Sequence, residues 1–416
     1  MEDSPENRGE WMFENILGQE AVVTRIMEDV GTQALPGAVL FNGPEYAGKL
    51  STALELARSL SCTQKNAPWN CSCLSCRQHR VLMSPYTLML GHRYFADEIR
   101  LCGKSLSGDD REGNRYLFLR AVRKLTNRFE PLLWEGEDQK LGKASRIIDE
   151  IEESLDPLQP GRPGTGEKER AGILEKLYGE TDKLLQLLPA DGATVNMIRR
   201  LTAWTHISGG DSRKTIIIEN AERLNDAASN SLLKILEEPP TKTNFILTTT
   251  RLTGLMPTLR SRLRVYTFPQ RSQKTEQEVL NRIFRIQGSE YAGLRDVFLG
   301  IRTGDELSVT EAAQTLFDLV QNGGEGAYLR LRSFVTAFTA LPPQSRREAV
   351  RHVLQETGGL FRNCLASPQG EQPHSPEWYQ AMLQRIDLQY QRLEGYNIGP
   401  ETVFEQIFFG GILKDA

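Results

Sequence analysis

Short apolar runs alternate with segments of helical periodicity along the first two thirds of the chain. The runs are AVLFN at 38–42, YTLML at 86–90, TIIIEN at 215–220, FILTTT at 245–250 and RVYTF at 264–268. Helical stretches separate them, and one of these, AASNSLLKILEE at 227–238, is stopped by two prolines. Strands that alternate with helices favour a mostly parallel, doubly wound sheet.

The alternation of predicted strands and helices is interrupted between about residues 92 and 194. This stretch is rich in charge, and its patterns at 117–125 and 143–155 predict helices. Between the helices lies LQPGRPGTGEKE at 158–169, which predicts a flexible linker. We interpret 92–194 as an insertion in a nucleotide-binding fold, whose role its interspersed acids and bases leave unassigned. From about 270 to the end the pattern is helical, as at 273–287, 309–320 and 328–341.

Composition bounds the class of protein. A chain of 416 residues exceeds the length of about 250–300 residues that single domains seldom pass, so we expect two or three domains. With 50 Lys and Arg against 54 Asp and Glu, the net charge of −4 gives no overall basic field. Any DNA contact must therefore come from a local patch or from partner subunits. The start, MEDSPENRGEW, has no apolar segment of a signal peptide, and no apolar run could span a membrane, so we expect a cytoplasmic protein.

A candidate phosphate-binding loop follows the first strand. The segment Gly43-Pro44-Glu45-Tyr46-Ala47-Gly48-Lys49 opens a helix, which is the context such a loop requires. Its backbone amides would hold phosphate oxygens, and Lys49 would reach the terminal phosphates. The next position should carry the hydroxyl that binds magnesium, but it is Leu50, and Ser51 is rotated by about 100° on the helix. We therefore expect ATP and Mg²⁺ to bind weakly or not at all, and an ordinary glycine turn is the alternative.

A second position of a nucleotide site is also altered. An active ATPase needs an acid for magnesium and a second carboxylate that orients the attacking water, after a strand such as Ile216-Ile217-Ile218. Here the two residues are Glu219 and Asn220. Glu219 could still serve a metal, but an uncharged Asn220 is a poor base.

The chain has six cysteines, and four of them lie close together in the sequence as Cys62-x8-Cys71-x-Cys73-x2-Cys76. Four thiolates converging from one loop suit a structural, tetrahedral zinc site. His79 is an alternative ligand, and a set of reduced thiols in a cytosolic loop is the alternative to a metal site. Cys102 and Cys364 lie apart and fit the role of small apolar residues.

The segment at 229–268 resembles bacterial sliding-clamp loaders, a family of AAA+ proteins. The resemblance rests on Leu232-Leu233-Lys234, Leu236-Glu237-Glu238-Pro239-Pro240 and Ser261-Arg262, and on an entry motif at Phe13-Glu14-Asn15-Ile16-Leu17-Gly18-Gln19. It implies an α/β AAA+ domain at 1–270, with a zinc module at 62–79 and the insertion at about 92–194. A small helical lid at 271–321 and an all-α collar for oligomerisation at 322–416 would follow. The family's zinc module has two residues between its second and third ligands, where this chain has only Ser72.

Within that family the chain is most similar to the delta-prime type of subunit, whose ATP motifs are degenerate. The resemblance implies that Arg262, in Ser261-Arg262-Leu263, acts on the ATP of a neighbouring subunit, although Leu263 replaces the usual cysteine. Gly43, Gly48, Lys49, Glu219 and Thr249 would be the remnant of the chain's own nucleotide site. Arg295 or Arg302 would match a nucleotide-sensing arginine of the second domain. A basic loop formed by Arg260, Arg262 and Arg264 is the alternative to a specific role of Arg262.

The resemblance also implies partners. They are clamp-loader subunits of the gamma/tau and delta types in a DNA polymerase III holoenzyme, and, through the complex, the sliding clamp and primer-template DNA, but no membrane. One alternative is an ATP-hydrolysing, gamma/tau-like motor subunit that tolerates Leu50 and Asn220. Another is a non-replicative AAA+ module with an unrelated helical insert.

Overall fold

A computed structural model describes residues 12–64, 66–189, 191–207, 212–286, 291, 293–303, 308–324, 326–341, 343–366, 373–396 and 398–412. The polar segment at 1–11, whose composition predicts no signal peptide, lies outside these residues. The chain divides into two compact units, Met1–Gly288 and Ser289–Ala416.

The first unit is built on a parallel sheet of five strands. They are β1 (Ala38–Asn42), β2 (Thr87–Gly91), β3 (Lys214–Glu219), β4 (Thr243–Thr249) and β5 (Arg264–Thr267). Their order across the sheet is β2-β3-β4-β1-β5, and every neighbouring pair is parallel. Every residue of β3 and β4 is buried, as expected of parallel strands covered on both faces. All five predicted strands are confirmed.

Helices cover both faces of this sheet. They are α1 (Glu20–Gly31), α2 (Lys49–Leu60), α3 (Leu74–Arg80), α4 (Phe95–Gly108), α5 (Glu112–Thr126), α6 (Asp138–Leu155), α7 (Glu167–Leu185), α8 (Val195–His206), α9 (Asp226–Glu237), α10 (Pro257–Arg260) and α11 (Gln273–Val279). Alternate residues of each strand point to opposite faces. Val39 and Phe41 of β1 therefore join a core with α1 and α2, while Leu40 joins the core on the other face.

The insertion forms helices as predicted and packs on its own sheet. Phe118, Leu119 and Val122 of α5 lie in the same core as Leu88 of β2 and Ile216 of β3. The segment at 158–169, predicted as a flexible linker, is instead tethered. The guanidinium of Arg115 donates hydrogen bonds to the carbonyls of Pro157, Gln159, Arg162 and Pro163. A buried arginine thus helps to hold a loop whose composition predicts flexibility.

The second unit is helical. Its helices are α12 (Leu294–Thr303), α13 (Val309–Asn322), α14 (Ala327–Ala340), α15 (Pro343–Ala366), α16 (Pro376–Gly395) and α17 (Pro400–Ile412). One apolar core runs from Leu299 to Phe408 and unites these helices. The narrower division into a lid at 271–321 and a collar at 322–416 stays a prediction. Within the part of the chain that is described, no helix is long and apolar enough to cross a membrane.

Candidate functional site

The candidate phosphate-binding loop connects β1 to α2, as predicted. Gly48 lies at φ 90°, a left-handed conformation that favours glycine, and a Cβ there would come within 2.7 Å of the Arg271 guanidinium. The Lys49 ammonium turns back into its own loop, where it donates to the carbonyl oxygen of Gly43 at 2.6 Å and to that of Pro44. Burial lowers the pKa of Lys49 to about 8. The loop's cation therefore binds carbonyl oxygens of its own loop.

The first turn of α2 offers no magnesium ligand at the expected place. Leu50 is buried and packs in the apolar core with Phe41 and Ile26. Ser51 is exposed, in agreement with the rotation expected of the next helical position. The hydroxyl of Thr52 donates to the carbonyl oxygen of Gly48 at 3.0 Å.

Glu219 lies at the carboxyl end of β3, and two arginines of the insertion hold its carboxylate. Arg93 donates to Oε1 at 3.0 Å, and Arg128 donates to Oε2. All three side chains are buried: Arg93 and Glu219 are each 7% exposed, and Arg128 is 2% exposed. Both carboxylate oxygens that could ligate magnesium are thus bound to guanidinium groups. We call Arg93, Arg128 and Glu219 the arginine clamp.

The arginine clamp is part of a larger buried ionic network. Arg93 also pairs with Glu98 at 3.1 Å, and Lys124 pairs with the other oxygen of Glu98. Burial opposes ionisation of Glu98, but Arg93 and Lys124 hold the pKa of this carboxyl below its usual value. Arg93 lies over the ring of Tyr94, with 4.6 Å from guanidinium carbon to ring centroid. This network ties α4 and α5 of the insertion to the end of β3.

Two tyrosines join the insertion to the phosphate-binding loop. The rings of Tyr46, in the loop, and Tyr94, at the start of the insertion, lie 5.0 Å apart between centroids. Gly91, three residues before Tyr94, allows the ends of β2 and β3 to approach closely. A Cβ at Gly91 would lie 2.1 Å from the carbonyl oxygen of Glu219. The start of the insertion therefore contacts the phosphate-binding loop.

Asn220 and Thr249 have structural partners. Asn220 adopts a left-handed φ of 50°, which asparagine tolerates better than most residues, and its amide donates to the carbonyl oxygen of His92 at 2.8 Å. Thr249 is fully buried, and its hydroxyl accepts the backbone N–H of Arg251 at 3.1 Å. Both side chains stabilise turns at the carboxyl ends of their strands.

The entry motif at 13–19 is attached to the phosphate-binding loop by Arg271. Its guanidinium donates to the carbonyl oxygen of Leu17 at 2.9 Å and to that of Tyr46. Gln19, also buried, donates to the carbonyl oxygen of Pro269 at 3.0 Å. Arg271 thus holds the phosphate-binding loop against the entry motif.

Arg262 lies at the surface, on the turn after α10. Its guanidinium donates to the exposed carboxylate of Glu237, in the LEEPP segment, and to the carbonyl oxygen of Thr258. Leu263, which replaces the usual cysteine, is buried, whereas the guanidinium of Arg262 lies at the surface. Arg264 pairs with Asp29 at 3.1 Å, whereas Arg260 is exposed. The three arginines therefore do not form one equivalent basic loop.

The two candidate sensor arginines lie on α12 in the second unit. Arg295 donates to the Gln355 side chain at 3.1 Å and lies 3.8 Å from the Glu356 carboxylate. The sensor role of Arg295 or Arg302 stays a prediction.

The four predicted cysteine ligands come together. The sulfurs of Cys62, Cys71, Cys73 and Cys76 all lie within 4.8 Å of one another. A tetrahedral zinc with bonds of about 2.3 Å requires sulfurs about 3.8 Å apart, and the Cys62 and Cys71 sulfurs are separated by 3.7 Å. The described cysteines form no disulfide. The sulfurs come together although a single exposed residue, Ser72, separates Cys71 from Cys73.

The alternative ligand, His79, is outside this group of four. It is buried, its Nε2 atom has no hydrogen-bond partner among the described residues, and burial lowers the pKa of its imidazole to about 4. Helix α5 and the residue after it hold the end of α3 and the turn that follows. Arg120, Arg123 and Asn127 donate to the carbonyls of His79, Arg80, Val81 and Leu82. The insertion thus also supports the cysteine module.

Sequence reasoning missed Arg93 and Arg128. Arg93 could have been suspected, because it follows β2 directly, and Gly91 of β2 pairs in register with Glu219 of β3. Arg128 lies 91 residues from Glu219 along the chain, and no local pattern marks it.

The parallel sheet, its flanking helices and the glycine loop after β1 fit an AAA+ α/β domain. The family described as DNA polymerase III, delta subunit, matches residues 18–100 and 179–272. Over these residues the chain is similar to subunits of DNA polymerase III of the delta type.

Three relatives illustrate the likeness. The DNA polymerase III subunit delta' of Yersinia pestis is 44% identical over 132 residues, which are 30% of this chain and 36% of that protein. The delta' subunit of Escherichia coli is 49% identical over 53 residues, 13% of this chain and 16% of that protein. The gamma/tau subunit of Mycobacterium tuberculosis is 37% identical over 75 residues, 18% of this chain and 13% of that protein. The chain thus spans about a third or less of the length of these relatives.

Proposed function

We propose that this chain is a non-motor, delta-prime-like subunit of a DNA polymerase III clamp loader. It would supply Arg262 to the ATP of a neighbouring subunit and help to load the sliding clamp on primed DNA. Its partners would be subunits of the gamma/tau and delta types. The arginine clamp carries this proposal. Its two arginines bind the carboxylate of Glu219, which a hydrolysing subunit would need for magnesium.

Three further features support a nucleotide site that has lost the groups needed for hydrolysis. The residues of this site are Gly43, Gly48, Lys49, Glu219 and Thr249. Lys49 is bonded to its own loop, Leu50 is in the core, and Asn220 donates to a carbonyl instead of orienting water. Each removes a group that positions phosphate, metal or nucleophile, and phosphoryl transfer depends almost entirely on such positioning.

The exposure of Arg262 supports its role in trans. Its pair with Glu237 is at the surface, with 28% and 50% of the two side chains exposed. Such pairs contribute about 0–1 kcal/mol, so a phosphate of a neighbouring subunit can displace Glu237 at little cost. The guanidinium's planar fork suits an anionic phosphoryl group.

The isolated chain is expected to hydrolyse ATP negligibly, because its own site lacks a free magnesium carboxylate and a base. Steady-state ATP turnover of the purified chain, measured beside a gamma/tau-type ATPase as a positive control, checks this. A turnover of about one per second or faster, as in ordinary enzymes, would instead support the motor subunit.

We also propose that the four cysteines hold a structural zinc ion. The described loop residues around them bury few apolar side chains, so a metal would supply the stability that packing does not. Zinc should copurify at about one equivalent and be lost in Cys73→Ser, which removes one of four ligands. Metal analysis of protein prepared without chelator checks this, and metal-free wild-type protein would contradict it.

A further inference from the structure

A buried arginine touches the cysteine cluster from the helix that follows the phosphate-binding loop. Arg58, in α2, is 1% exposed, and its Nη1 atom lies 3.0 Å from the sulfur of the fully buried Cys76. The same guanidinium donates to the carbonyl oxygens of Pro68, at 3.0 Å, and Ala67. It therefore contacts both one sulfur and the backbone of the loop that carries the others.

The orientation of this guanidinium is fixed. Glu55, three residues earlier on α2, accepts two hydrogen bonds from it, at 2.9 Å from Nε and 2.6 Å from Nη2. Glu55 also accepts the backbone N–H of Phe13 at 3.3 Å, and the ring of Trp69 lies 5.5 Å from the guanidinium carbon. A two-pronged pair of this kind leaves the remaining N–H groups pointing at Cys76 and the loop.

The charge of Arg58 suits a site of four thiolates. Four thiolates and one Zn²⁺ carry a net charge of −2, and a negative charge in a buried site is costly unless a cation or donor faces it. Arg58 supplies both a positive charge and an N–H donor to a sulfur. Groups that donate to metal ligands orient them and tune the metal's affinity.

We propose that Arg58 is a positioning residue of the metal site, which holds the Cys76 sulfur in place and offsets the negative charge of the four sulfurs. This inference rests on the proposed metal site. It also gives that site a mechanical link to α2 and, through Glu55, to the entry motif at Phe13.

Arg80 offers a matched control. Its guanidinium donates to the carbonyl oxygens of Trp69, at 2.6 Å, and Cys71, at 2.8 Å, so it holds the same loop. Both hydrogen bonds go to carbonyl oxygens and not to a sulfur. Replacing Arg80 therefore loosens the loop without removing a donor from a metal ligand.

The experiment uses the full chain as wild type, Arg58→Met, Arg58→Lys and Arg80→Met. Zinc affinity is measured by competition with a chelator, and the sulfur-to-metal charge-transfer band is recorded with cobalt(II) as the probe. Arg58→Met should lower zinc affinity about 10–100-fold, the range for partners of metal ligands, and should shift the cobalt band. Arg58→Lys, which keeps the charge but loses the fork, should fall between, and Arg80→Met should leave the band unchanged.

Equal losses of affinity in Arg58→Met and Arg80→Met, with both bands at the wild-type position, would overturn the inference and leave Arg58 as a loop anchor only. If Arg58→Met does not fold, the cobalt band of Arg58→Lys decides, and an unshifted band at wild-type affinity overturns the inference. A wild-type chain that binds neither zinc nor cobalt would instead overturn the metal site itself.

Discussion

Glu219→Gln is expected to lower the free energy of unfolding of the first unit by about 3–5 kcal/mol, the range for breaking a buried ion pair by removing one partner. The neutral amide cannot balance Arg93 and Arg128, which then remain as buried charges beside the end of β3. The loss of charge pairing is greatest for Arg128, because Arg93 retains Glu98 as a partner. Urea unfolding followed by circular dichroism and tryptophan fluorescence measures the change.

Asp156→Asn is the control for this prediction. Asp156 pairs with Arg162 at 2.8 Å, but 52% and 54% of the two side chains are exposed. Loss of such a surface pair costs less than about 1 kcal/mol. A Glu219→Gln variant as stable as Asp156→Asn would mean that the arginine clamp contributes nothing. A wild-type chain stabilised by Mg²⁺ and ATP would mean that Glu219 is free to bind the metal.

The sheet could be predicted because its strands are apolar and punctuated by turns. The isoleucines of β3 mark a strand buried on both faces, and Gly43-Pro44 ends β1 where the chain must turn. The cysteine group could also be predicted, because its ligands are close in sequence and a short loop can bring them together.

The complete arginine clamp could not be predicted, because Arg128 lies 91 residues from Glu219 along the chain. The pattern of the insertion predicts helices, but Arg93 precedes α4 and Arg128 lies in a 3-10 turn after α5. The return of Lys49 into its own loop depends on its burial and on the carbonyl oxygens of Gly43 and Pro44, which accept its ammonium. The tethered segment at 158–169 has a similar reason, since Arg115 reaches it from another helix.

The helix predicted at 273–287 ends earlier than its periodicity indicates. Regular α-helix stops at Val279, a π-helical turn covers Leu280–Phe284, and Arg285 adopts a left-handed φ of 57°. The carbonyl oxygen of Phe284 accepts the hydroxyl of Ser105, in the insertion. Tertiary contacts with the insertion thus accompany an ending that no glycine or proline in the sequence marks.

Arg262→Ala is expected to leave the folded chain intact and to lower ATP turnover and clamp loading severalfold in a reconstituted clamp loader. The side chain is at the surface, and its removal leaves only the exposed Glu237 without a partner. Arginines that act on a neighbour's ATP contribute about 10³–10⁵-fold where one site does all the work. Clamp loaders divide hydrolysis among several sites, so a smaller loss is expected here.

Two variants separate a specific role from a general basic surface. Arg262→Lys should restore only part of the activity, because an ammonium cannot make the same two-pronged contact with a phosphoryl group. Arg260→Ala removes a neighbouring exposed arginine and should have little effect. Arg264→Ala is less suitable, since it also removes the pair with Asp29 inside the chain.

Steady-state ATP turnover of the reconstituted complex, in which only this chain is varied, tests the central claim most directly. The non-motor role predicts a severalfold loss in Arg262→Ala, partial recovery in Arg262→Lys and full turnover in Arg260→Ala. Full turnover in Arg262→Ala, or an equal loss in Arg262→Ala and Arg260→Ala, would contradict the action of Arg262 on a neighbouring subunit's ATP.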